Sequence, residues 1–177
     1  MRKRTLTELN RQSIEDFKLQ PKTPLVIVLD NVRSALNVGS AFRTADAFAL
    51  EGVYLCGITA QPPNREITKT ALGATESVDW HYMRDTVSAI EALKKQGYMI
   101  VAIEQAEGSV ALQEFAYQKH EKYAFIFGNE VNGVSDEVMD RVDACIEIPQ
   151  FGTKHSLNIS VCVGIVVWAF FQNIQRI

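Results

Sequence analysis

The chain reads as an α/β protein whose mostly parallel sheet is flanked by helices, and three observations carry that expectation. Residues 25–29, Leu-Val-Ile-Val-Leu, form a continuous β-branched apolar run, the mark of a strand covered on both faces. Further short apolar runs at 53–55, 98–103, 123–127 and 144–148 alternate with stretches of helical periodicity, which is the βαβ pattern. A chain of 177 residues, 47% apolar and 22% charged, is long and ordinary enough for one domain with a sizeable core.

Each element follows from its local pattern. Residues 5–19 are helix formers with apolar Leu6, Leu9 and Phe17, and they stop before Pro21. After strand 25–29 a polar turn leads to a helix over 39–50, where Ala41, Ala45 and Phe48 share a stripe. Strand 53–55 gives way to the Gln61-Pro62-Pro63-Asn64 loop. Residues 87–95 form an amphipathic helix with Ile90 and Leu93 inward, followed by strands 98–103 and 123–127. Ser135 is placed to N-cap a short helix with Asp136 and Glu137 in its first turn. Strand 144–148 and a helix over 158–174 complete the chain. With no repeat, low-complexity tract or linker, the chain divides into a basic helical extension, 1–22, and a single domain, 23–177.

Composition narrows the partners without naming one. The net charge is −3, whereas polyanion binders usually carry a basic surplus, so any nucleic-acid contact must come from a local patch. Arg2, Lys3, Arg4, Arg11, Lys18 and Lys22 offer such a patch, although on charge alone a solvated helix face is the readier account. Cys56, Cys145 and Cys162 lie in apolar runs with no CxxC spacing and read as buried free thiols of a reducing compartment. His81, His120 and His155 are too scattered for a metal site. Residues 1–21 are too polar for a signal peptide, and the apolar run 161–171 is too short to cross a bilayer. The expectation is a cytoplasmic protein with neither metal nor membrane partner.

Three polar loops could carry chemistry. In the first, residues 31–43, Gly39 and Ser40 stand where the helix is expected to begin, with no carboxylate in the next turn. Free N–H groups there, with Arg43 one turn on, could hold an anion; an ordinary capped helix with a surface arginine is the alternative. The second, Gly128-Asn129-Glu130, lacks both the Gly-Lys-Ser/Thr ending and GxGxxG, and the acids at 136–137 would repel phosphate. It suits a neutral or cationic ligand, or is simply a tight strand-to-helix turn. The third spans 149–158, with Ser156 available as N-cap of the last helix. Without GxSxG, and with His155 adjacent to Ser156, it is not a hydrolase site.

Together these blocks resemble the SpoU family of RNA ribose 2′-O-methyltransferases, within the SPOUT superfamily. Asn37-Val38-Gly39-Ser40-Ala41-Phe42-Arg43-Thr44-Ala45 is similar to the first family motif. Phe127-Gly128-Asn129-Glu130 with Gly133 is similar to the second, and Ile148-Pro149-Gln150 through Gly152 to Ser156-Leu157-Asn158-Ile159-Ser160-Val161 to the third. Weaker likeness at Gly73-Ala74 and Ala102-Ile103-Glu104-Gln105 extends the resemblance from about residue 24 to the C-terminus.

The resemblance implies a C-terminal trefoil knot, which chain-connection rules alone would never suggest. It implies S-adenosylmethionine held by Ile103, Glu104, Phe127, Gly128, Asn129, Ile148, Gln150 and Leu157, and a homodimer with the active site assembled across its interface. The apolar last helix, with Val163, Val166, Val167, Phe170 and Phe171, would pack either against the partner or into the core. The substrate implied is RNA, tRNA or rRNA. The resemblance makes Arg43 the central catalytic residue, orienting and electrostatic first and a base only second, because guanidinium groups as a class keep their proton at neutral pH. Asn37 would position the ribose or Arg43, while Glu130, Ser156 and Asn158 shape the pocket.

Three departures stand out. Gln150 occupies a common Met position, as in a subset resembling tRNA-guanosine ribose methylases, and Trp168-Ala169 replaces a common Tyr-Glu. No separate N-terminal RNA-binding domain or basic C-terminal tail is expected, leaving substrate capture to residues 1–22, the motif loops or both subunits. A non-catalytic RNA-binding or assembly module on the same scaffold is the alternative reading; the missing phosphate fingerprints disfavour a nucleotide enzyme.

Overall fold

The structure is a computed structural model that describes residues 1–5, 7–9, 11–118 and 121–176, so Leu6 and His120 of the sequence reading fall outside the described residues. Seven strands, β1 Thr23–Asp30, β2 Leu50–Cys56, β3 Trp80–Met83, β4 Tyr98–Ile103, β5 Val110–Ala111, β6 Lys122–Phe127 and β7 Ala144–Glu147, form one sheet. Their order is β3-β2-β1-β6-β4-β7-β5, and every pairing is parallel. The α/β expectation therefore holds. β6 enters late in the chain yet lies between β1 and β4, so the strand order reverses beside it. Crevices at such points, outside the carboxyl ends of the strands, are where open sheets bind ligands.

Alternation within the buried strands builds two cores. Leu25, Ile27 and Leu29 of β1 and Tyr123, Phe125 and Phe127 of β6 face helices α2 Ala35–Ala47, α3 Arg65–Ala71 and α7 Ile159–Arg176. Val26, Val28, Ala124 and Ile126 face α5 Thr86–Lys95 and α6 Asp136–Met139 on the other side. Val163, Val166, Val167 and Phe170 of α7 are fully buried within the chain itself, which decides their placement: they are core. Phe170 sits edge-on to Tyr117 and Tyr123, with ring centroids 5.1 and 5.4 Å away.

Helix starts differ most from expectation. Residues 5–19 are not one helix but a 3-10 turn, Thr7–Leu9, and α1 Ile14–Leu19, because Ser13 accepts from the Asp16 N–H and begins a new one. α2 starts four residues before Gly39, capped by Ser34, whose hydroxyl accepts from the Asn37 N–H. Gly39 and Ser40 thus lie inside the helix and present no free N–H groups. Gly39 serves packing instead, since a Cβ there would overlap Thr70 and the Ile67 carbonyl of α3. α7 is capped by Asn158, not Ser156: the Asn158 side-chain oxygen accepts from Ser160 N–H at 2.9 Å. Ser135 does precede α6, but its side chain makes no cap bond; its N–H and hydroxyl both donate to Asp30. Helices α3 and α4 Ala74–Ser77 and strands β3 and β5 had no counterpart in the sequence reading.

Because Phe170 fills the centre of the aromatic cluster, Phe170→Ala should destabilise the fold by about 3–5 kcal/mol. Urea denaturation followed by circular dichroism measures this; an unchanged midpoint would show that α7 is not anchored through this ring.

Candidate functional site

Three loops leave the carboxyl ends of β4, β6 and β7 and enclose a cavity of about 710 Å³. The middle loop is held shut by its own backbone. Asn129 and Gly133 exchange N–H···O bonds of 2.9 Å, and the Asn129 side-chain oxygen accepts from Val131 N–H at 2.8 Å. Glycine is required at both ends of this turn. A Cβ on Gly128 would overlap the backbone of Gly133 and Val134, and Gly133 has φ +68° with the Glu104 carboxylate against it.

Neighbouring strands clamp the same loop from outside. The Asn129 amide donates to the Asn31 carbonyl at 2.7 Å, and Glu104 accepts from Val134 N–H at 3.0 Å and Gln105 N–H at 2.8 Å. Asp30, only 2% exposed, accepts from Thr86, from the Asn31 amide at 2.8 Å and from Ser135 N–H at 3.1 Å. The sequence reading missed Asp30 and Asn31. Their signal was a carboxylate and an amide directly ending the most apolar strand.

Glu130 does what no local pattern disclosed. Its carboxylate accepts from the N–H groups of Arg33 at 2.9 Å and Ser34 at 3.1 Å and from the Asn37 amide at 3.2 Å. It thereby occupies the positive end of α2, where the sequence had suggested an anion site. Desolvation pushes its pKa up, but bonds from the Arg33, Glu130 and Ser34 N–H groups and the Asn37 amide outweigh that, leaving it below the ordinary glutamate value. The Asn37 oxygen accepts in turn from the Asn158 amide at 3.3 Å, tying the start of α2 to the loops after β6 and β7. The Gln105 amide closes the ring by donating to the His155 carbonyl at 2.7 Å.

The structure brings most of the sequence-derived residues together. Ile103, Glu104, Phe127, Gly128, Asn129, Glu130, Ile148, Gln150, Ser156, Leu157 and Asn158 all line the cavity, and Asn37 bonds to two of them. Arg43 is the exception. It follows Asn37 by six positions on α2, about 9 Å along the axis and about 120° around it. There it is exposed and borders a separate hollow with Ser40, Thr44, Phe48, Lys69 and Gly164. Among the thiols only Cys56 is fully buried; Cys145 and Cys162 are half-buried, and burial pushes Cys56 and Cys162 up to about 12. Among the described residues no group of three His, Cys, Asp or Glu side chains could hold a metal, and no helix is long and apolar enough to cross a membrane.

Residues 24–168 match the SpoU rRNA Methylase family. The chain belongs to that family. It is 29% identical to the 23S rRNA (guanosine-2′-O-)-methyltransferase RlmB of Vibrio parahaemolyticus, with 91% of this chain and 64% of the relative aligned. To the tRNA (guanosine(18)-2′-O)-methyltransferase of Thermus thermophilus it is 30% identical, covering 93% of this chain and 83% of that one. The crystal structure of an AdoMet-bound rRNA methyltransferase from Sinorhizobium meliloti superposes with a TM-score of 0.79 at 28% identity, over 91% of this chain and 60% of the other. This SpoU family member thus spans under two thirds of two of these relatives.

The Glu130 contacts predict a pH signature. The folded-state pKa is depressed, so the stabilisation is present above the ordinary glutamate range and lost as pH falls through the folded value. Glu130→Gln should destabilise by about 0.3–1 kcal/mol at neutral pH, a range kept low by solvent screening of an exposed carboxylate. The difference from wild type should begin to shrink as acidification reaches about 4.5 and vanish only below the depressed folded value. Paired urea titrations across that range check it; a gap independent of pH would refute the charge–helix contact.

Proposed function

We propose that the chain is an S-adenosylmethionine-dependent methyltransferase acting on a ribose 2′-hydroxyl of tRNA or rRNA. The chemistry of the cavity carries this reading. Its lining includes the carboxylates of Glu104, Glu130 and Asp136 and contains no lysine or arginine. Such walls repel a polyphosphate and favour a compact ligand bearing a cation. The volume suits a nucleoside with an amino-acid arm, and Ile103, Ile148 and Leu157 supply apolar surface for a base. Gly128, Asn129 and Gln150 would offer polar contacts, and Phe127 and Glu104 the adjoining wall. The names of the Vibrio and Thermus relatives and the AdoMet-bound Sinorhizobium structure support the same reaction.

When bound, the cofactor supplies a methyl group activated by a positively charged sulfur. The protein's share is to orient the ribose hydroxyl and stabilise charge developing on its oxygen, the task assigned to Arg43. Glu130, Asn37 and Asn158 fix the walls on which that geometry depends, and Ser156 borders the opening. The exposed Lys3, Arg4, Arg11 and Lys18 give residues 1–22 a cationic surface for RNA. A trefoil knot would require residues 149–158 to thread under a neighbouring loop, and the Gln105–His155 bond supports a close passage there.

The protein acts as a homodimer in this reading, and the partner copy completes the site. Arg43 stands away from the cavity of its own chain and makes no ion pair among the described residues. Beside it α7 turns an apolar stripe outward: Val161, Ile165 and Trp168 are 50%, 37% and 50% exposed. The spacing is that of one helix face, and Phe48 and Phe171 ring Trp168. A second copy docked on this face would set Arg43 against the partner's cavity.

Methyl-labelled S-adenosylmethionine incubated with separated tRNA and rRNA from a strain lacking this protein tests the reaction. Labelled 2′-O-methyl nucleotides are expected in one fraction, and Arg43→Ala should abolish labelling while fold and cofactor affinity persist. Wild-type activity in that variant would remove Arg43 from catalysis. Trp168→Asp, half-exposed and so tolerated by the fold, should sediment as monomer and lose activity. A variant that stays dimeric would place the interface elsewhere.

A further inference from the structure

Phe151 is 98% exposed, although it lies in the loop that also supplies cavity-lining residues on both sides of it. Folding gains nothing from this side chain: no other ring lies in aromatic contact with it among the described residues. Its loop, 149–158, carries Lys154 and His155 and no carboxylate, in a chain whose net charge is −3. Arg33, whose N–H donates to Glu130 of the cavity lining, is exposed as well. A free aromatic face on a loop that carries a lysine, a histidine and no acid is the make-up of surfaces that stack single-stranded bases and hold their phosphates. The loop is also pinned, through the Gln105–His155 bond, so the ring is presented from a fixed base.

We infer that Phe151 is a stacking platform for an unpaired nucleobase of the RNA at the mouth of the cavity. The inference rests on the proposed function and adds to it a demand on the substrate: the nucleotide must be unpaired, in a loop, bulge or single strand. Stacking takes a base by its face, so the residue selects for accessibility and not for sequence. Lys154 and His155 lie close enough in the chain to meet the flanking phosphate.

The test uses the full chain as wild type, Phe151→Ala, Phe151→Leu and Phe151→Trp. The probe is a short single-stranded oligoribonucleotide carrying one 2-aminopurine, whose fluorescence falls on stacking. Phe151→Ala and Phe151→Leu should weaken binding about 5- to 150-fold and lose the quenching, while Phe151→Trp keeps both. S-adenosylmethionine affinity by calorimetry and the sedimentation coefficient should not move in any variant. Wild-type RNA affinity in Phe151→Ala overturns the inference, and so does full affinity in Phe151→Leu, which would mean apolar packing without stacking. A changed sedimentation coefficient would assign Phe151 to the subunit contact, and a loss of cofactor affinity to the cavity wall; either overturns it. A wild type that binds no cofactor and labels no RNA sinks the proposed function itself, whereas an active wild type matched by Phe151→Ala sinks the stacking role alone.

Discussion

The carboxylate of Glu130 is the contact on which the site depends. Any helix leaves N–H groups unpaired at its start, and water would ordinarily satisfy them. In this chain a carboxylate just past β6 takes the N–H of the cap residue Ser34 and that of Arg33 before it, residues 96 and 97 positions away. The start of α2 is thereby tied to the loop after β6. Asn37 extends the tie to Asn158 and the start of α7, so three segments far apart in sequence meet at one point.

Two more carboxylates work in the same way. Asp30 and Glu104 spend their oxygens on Ser135, Val134 and Gln105 N–H groups, and so fix the far end of the Gly128–Ser135 loop. Buried or half-buried acids carry a desolvation cost, which these N–H donors offset. The outcome is a cavity whose shape is set by anions. On the proposed function, two of the three lining acids, Glu104 and Glu130, would favour a cationic ligand while already bonded to the scaffold. Asn129 illustrates the same economy, because its side chain is taken by Asn31, Val131 and Asn132 and its backbone by Gly133.

Much of this architecture was readable. β1, β4 and β6 are apolar runs buried on both faces, and such runs admit few interpretations. The edge strands β3 and β5 are short and partly exposed, so their pattern is weak. Helix starts are the weak point of the pattern: Gly39 reads as the start of α2 although Ser34 caps it, and 5–19 reads as one helix although Ser13 begins a new one. The cavity residues of the three loops did converge, but Glu130's partner could not be found locally, since nothing near residue 130 points to Ser34. The last helix was ambiguous because it is apolar nearly all round. Folding resolves it into a core face at Val163, Val166, Val167 and Phe170 and an outer stripe at Val161, Ile165 and Trp168.

Under the proposed function α2 acts as a spacer between two chemical tasks. Its first turn is locked to the cavity wall through Glu130, while Arg43 stands about 9 Å on and a third of a turn round, beside α7. A helix this well packed, with Val38, Ala41, Phe42 and Ala45 buried, does not flex to bring its two ends together. If both ends serve one reaction, the partner for each must come from another copy of the chain. The same rigidity that defines the cavity withholds the arginine from it, and under the proposed dimer the apolar stripe on α7 would serve catalysis as well as assembly. Activity would then rise with protein concentration wherever the dimer is incompletely formed.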